Sequence, residues 1–67
     1  MWEIRPNADR QAVEALIRCV AERLGIPVPD MSGDLVTLPP HTGPVVGALE
    51  ACNPEWTSIG LVPPPCD

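Results

Sequence analysis

Four side chains in this 67-residue sequence carry chemistry by type: His41, its only histidine, and Cys19, Cys52 and Cys66. They have the composition of a Cys3His zinc set. No C-x2-4-C pair sets two thiolates on one turn, however, and Cys19 falls mid-helix on a solvated flank. A cysteine nucleophile with His41 as base would need a third group to orient the imidazole, and no residue is singled out for that role. His41 lies in Pro39-Pro40-His41-Thr42-Gly43-Pro44-Val45-Val46-Gly47, just ahead of a helix start. Backbone N–H groups at such a start can hold an anion. Pro44 deletes one donor, and no Lys or Arg is near in sequence, so His41 reads as a loop residue. Gly43 and Gly47 match G-x-x-x-G, a motif that acts within an apolar span of membrane length. With no such span here, Gly47 reads as a place of close backbone approach. There is no Gly-rich phosphate loop, no pair of catalytic acids and no H-E-x-x-H. The expectation is a chain with no catalytic residue, no cofactor and no bound metal.

The elements that would position these groups begin with Trp2-Glu3-Ile4-Arg5, which alternates apolar with polar and stops at Pro6, as a short strand does. Asn7 or Asp9 can cap a helix over about residues 8–24, and Gly25 with Ile26-Pro27 ends it. Val13, Leu16, Ile17, Val20 and Leu24 fall on one apolar stripe. Arg10, Glu14, Arg18 and Glu22 follow one another at i+4 spacing on the solvated side. Ala8, Ala12, Ala15 and Cys19 form a separate band of small side chains. Such a band suits close approach of another helix, although alanine also favours any helix.

After Gly25 the composition changes, and nine of the ten prolines follow it. Ile26-Pro27-Val28-Pro29 is extended, because a proline forbids the helical region to the residue before it. Ser32-Gly33-Asp34 reads as a turn and Leu35-Val36-Thr37-Leu38 as a strand closed by Pro39-Pro40. A short helix over about residues 43–52 starts with Gly43 or Thr42 as cap and Pro44 as first helical residue, and Asn53-Pro54 ends it. Residues 57–62 read as a weaker strand ahead of Pro63-Pro64-Pro65. The fold class is therefore α+β: one domain over residues 1–67, with a strand–helix unit over 1–25 and a proline-rich half over 26–67.

Trp2-Glu3-Ile4-Arg5-Pro6, running into Asp9 and Ala12-Val13-Glu14-Ala15-Leu16-Ile17, resembles the first strand and helix of a GNAT-type acetyltransferase. The resemblance covers roughly the first third of the chain. Those enzymes are much longer, and their Gly-rich acetyl-coenzyme A loop has no counterpart here, since Gly43-Pro44-Val45-Val46-Gly47 offers too few donors. No activity is carried over.

Size and charge bound the function. At 67 residues, apolar burial roughly offsets about 1.5 kcal/mol of ordering entropy per residue, so a staple or a partner surface is expected. Residues 1–24 carry four arginines against four acidic residues. Residues 25–67 carry Asp30, Asp34, Glu50, Glu55 and Asp67 with no Lys or Arg, a balance that repels phosphate backbones. Nucleic acid is thus an unfavoured partner. No segment approaches the ~20 apolar residues of a membrane span, and no basic-then-apolar leader opens the chain. A cytoplasmic or virion location follows, not a secreted one, and three cysteines in that setting read as free thiols. The lack of lysine, with abundant Arg, Pro, Ala, Val and Gly, fits a high-G+C bacterial or phage genome.

These observations predict a non-catalytic accessory or structural protein that docks on a larger protein assembly, or on copies of itself, with a phage virion component as the concrete case. An acidic inhibitor-like binding protein, such as an anti-defence factor or antitoxin, is the alternative, and a small subunit of an enzyme complex the second. The expected partner surface is Trp56 with Leu61, Val62, Pro63, Pro64 and Pro65. Trp56 follows the turn Asn53-Pro54-Glu55, and the proline-rich tail loses little chain entropy on binding. The competing reading puts Trp56 in the core of its own domain.

Overall fold

The computed structural model describes residues 2–40 and 42–64. Strand β1, Trp2–Ile4, turns Trp2 and Ile4 inward and Glu3 outward, as its alternation requires. Helix α1, Arg10–Leu24, is capped by Asp9 and not by Asn7, so it starts two residues later than expected. The Asp9 carboxylate accepts the Ala12 N–H at 3.3 Å. At the other end Gly25 takes a left-handed conformation, φ 70, and its N–H reaches the carbonyls of Ala21 and Glu22. The Ile26 N–H then donates to Ala21 O at 3.0 Å, which satisfies the last turn. Val13, Leu16, Ile17 and Val20 are buried as their spacing predicts, joined by Ala21, with Leu24 half-buried beside them.

The polar ladder on the far side of α1 is not used as an ion-pair chain. Arg10 turns away from Glu14 and clasps the loop after the helix. Its Nη2 donates to Met31 O at 2.7 Å and Gly33 O at 2.9 Å, and its Nη1 lies 3.6 Å from Asp34 Oδ1. That is the only ion pair among the described residues. The same loop is tightened by Asp30, whose carboxylate accepts the Ser32 N–H and Oγ–H at 3.0 and 3.2 Å.

Strand β2, Leu35–Val36, is shorter than residues 35–38. Helix α2, Gly43–Cys52, has the expected bounds, with Thr42 as cap and Pro44 in its first turn. Strand β3, Leu61–Val62, is shorter than residues 57–62, because the stretch before it winds into turns. The Asn53 side chain accepts the Glu55 N–H at 3.0 Å, and Glu55 O accepts the N–H groups of Ser58 and Ile59. Gly60, at φ 111, then redirects the chain into β3. A Cβ there would collide with the Ala8 side chain and sit 2.9 Å from Ala8 Cα. The close approach read at Gly47 is therefore found at Gly60 instead; a Cβ on Gly47 would meet nothing within 4 Å.

The sheet has the order β2-β1-β3, antiparallel throughout. Trp2 faces Val36, Ile4 faces Leu61, and Glu3 faces both Leu35 and Val62. Main-chain bonds from Ile4 N to Asp34 O (2.7 Å) and from Arg5 N to Gly60 O (2.8 Å) extend both pairings. One sheet face is covered by the helices. Trp2, Ile4, Val36 and Leu61 meet the α1 stripe, the α2 residues Val45, Ala48 and Leu49, and Trp56. The result is a small α+β domain with two helices on one side of a three-stranded sheet among the described residues.

Candidate functional site

Of the residues with chemical potential, the structure brings two together. Cys19, in the middle of α1, and Cys52, the last residue of α2, form a disulfide with Cα atoms 6.0 Å apart. This corrects the reading of free thiols. Each cysteine continues the buried face of its own helix, Cys19 three residues after Leu16 and Cys52 three after Leu49, so where the helices cross the sulfurs meet. A bonded sulfur is neither a nucleophile nor a metal ligand, so Cys19 and Cys52 leave the zinc and nucleophile alternatives. His41, Cys66 and Pro65 lie outside the described residues. Among the described residues no three of His, Cys, Asp and Glu gather as a metal ion would require.

Around the disulfide lies a groove of about 200 Å³, lined by Ala12, Ala15, Leu16 and Cys19 of α1 with Cys52 and Asn53. Of the band of small residues on α1, Cys19 thus meets α2 of the same chain through the disulfide, while Ala12 and Ala15 line the open groove beside it. Ala8, at the start of the band, packs instead under Gly60.

The predicted partner surface divides. Trp56 is only 8% exposed, and its ring centre lies 6.1 Å from that of Trp2, with planes tilted by 60°. The turn after α2 folds back onto the sheet and carries the ring inward, which is the core reading of this residue. Tilted aromatic pairs of this kind add ~1 kcal/mol beyond the area they bury. Trp2 is itself fixed by its indole N–H, which donates to Pro39 O at 3.0 Å. Leu61 also points into the core. Val62, Pro63 and Pro64 are half-buried at the sheet edge and keep part of their surface open.

One apolar residue on the same face as Val62 was missed from sequence. Leu35 is 53% exposed, and its pairing with Glu3, which also faces Val62, puts Leu35, Glu3 and Val62 on the outer side of the sheet. The signal was present in the alternation of β1: if Trp2 and Ile4 face inward, the partners of Glu3 must face outward. Among the described residues, the second half's Asp30, Asp34, Glu50 and Glu55 are all exposed. No helix among the described residues is long and apolar enough to cross a membrane.

Comparison of the chain with protein-family models, with curated proteins and with solved structures finds no match.

Proposed function

We propose that this chain is a non-catalytic accessory component of a larger protein assembly, docking through the outer side of its sheet and the adjoining Val62-Pro63-Pro64. The observation that carries the reading is the register that sets Leu35 and Val62 on either side of Glu3 on the face the helices do not cover. The core below it is closed by the chain's own residues, so this apolar strip is free for a partner. Half-exposed prolines beside it add contact area at small entropic cost.

The disulfide supports a particular setting. Such bonds persist on virion and cell surfaces and outside the cell, and are rare in reducing cytosol. Among the expected settings it favours a virion component over a cytoplasmic one. The exposed acidic residues of the second half support the inhibitor-like alternative, in which a basic partner surface is blocked.

Sedimentation of particles from the source culture tests the reading. The chain should travel with them at fixed stoichiometry and stay bound in about 0.5 M salt, where exposed charge contacts are screened to a few ångströms. Release by salt onto a basic partner would favour the inhibitor-like alternative. Recovery only as a free chain with reduced Cys19 and Cys52 would end the virion reading.

A further inference from the structure

We infer that the Cys19–Cys52 bond is a reduction-sensitive latch on α2, so that a small thiol releases this helix from the domain before α1. The two helices differ in what holds them. Helix α1 has fifteen residues, a bonded side-chain cap, a left-handed glycine at its C-terminus and five buried side chains. Helix α2 has ten, below the ~12–15 at which even favourable sequences hold as isolated helices in water. It contains Gly43 and Gly47 and the β-branched pair Val45-Val46, all poor helix formers. Its cap Thr42 makes no side-chain hydrogen bond, and no acidic residue in its first turn or basic residue in its last supports the dipole. Only Val45, Ala48 and Leu49 are buried from it. Tertiary contacts and one covalent bond, placed at its last residue, keep α2 in position.

The bond is within reach of a reductant, since both cysteines are half-buried and line the groove between the helices. A small-molecule thiolate attacks one Sγ, the S–S bond breaks, and the other Sγ leaves as a thiolate that takes up a proton. A second thiol attacks the mixed disulfide and frees the remaining cysteine. Two electrons pass from two thiols to the protein, and the small molecule leaves as its own disulfide. Because the bond joins residues 33 apart, its loss removes a chain constraint worth two to three orders of magnitude in the folding equilibrium. The inference concerns the isolated chain and does not depend on the docking role.

Hydrogen exchange read by mass spectrometry, on a Cys66→Ser chain so that only this pair titrates, tests the latch. On addition of dithiothreitol, amides of residues 46–53 should exchange at least tenfold faster and be accelerated more than those of residues 13–24. Cys19→Ala/Cys52→Ala, made in the same background, should show the same pattern without reductant. Unchanged protection in α2 overturns the inference. So does equal acceleration in both helices, which would make the bond a support of the whole domain, and so does alkylation of Cys19 or Cys52 before any reductant is added.

Discussion

Gly60 and Gly47 separate two uses of the same residue. At Gly60 the positive φ and the pressure of Ala8 both exclude a side chain. Gly60→Ala should cost at least ~2 kcal/mol, because the backbone of Ala8 would have to move as well as the side chain. Gly47 sits in a helix interior facing open space, so Gly47→Ala should stabilise by ~0.5–1 kcal/mol. Urea titration of both variants checks the pair, and a loss of stability at Gly47 would reopen the idea of a close contact there. Trp56→Ala should cost ~3–5 kcal/mol and leave the isolated chain largely without a cooperative melt, since the ring is buried against Trp2. A folded Trp56→Ala chain would show the ring to be dispensable to the core. Arg10→Ala should cost only ~1 kcal/mol, because its contacts to Met31 and Gly33 are exposed, and its effect should appear as faster exchange confined to residues 30–35.

Helix α1 is the element whose loss the domain cannot absorb. Leu16→Ala or Ile17→Ala should each cost ~2–5 kcal/mol, comparable with the whole stability of a domain this size, and a wild-type melting temperature in either would contradict the burial of that face. This helix was legible in the sequence because every signal for it is local: a capping aspartate, apolar spacing over three turns, and glycine before proline. Helix α2 was legible in the same way from Pro44 and Asn53-Pro54. Strands β2 and β3 were legible as extended segments but not in length. With two residues each they are defined by what β1 can pair, and that is set by contacts more than thirty residues away. The turn over residues 53–60 hid Trp56, because an asparagine–proline start tells where a chain bends and not which side the next ring takes. The disulfide escaped for a related reason. Cysteine count and spacing speak about redox setting and loop length, whereas the pairing of Cys19 with Cys52 comes from the crossing of two helices.

At the scale of the whole molecule, the two faces of the sheet divide the labour between stability and contact. Leu35→Lys/Val62→Lys, which sets opposite charges beside Glu3, should leave the melting temperature of the isolated chain nearly unchanged while weakening assembly by at least tenfold, since Leu35 is largely open and Val62 half so. Full retention of assembly by this variant would move the docking surface elsewhere. The order of strands has a consequence of another kind. The middle strand leaves the ribosome ahead of both its neighbours, and the second of them, Leu61–Val62, is the last of the domain's elements to follow. Helix α1 can wind while synthesis continues, but Trp2 and Ile4 have no finished sheet to enter until residue 62 is free. Until residue 62 has emerged, the nascent chain therefore presents an apolar α1 stripe that the sheet has not yet covered, and completion of the domain waits on its last strand.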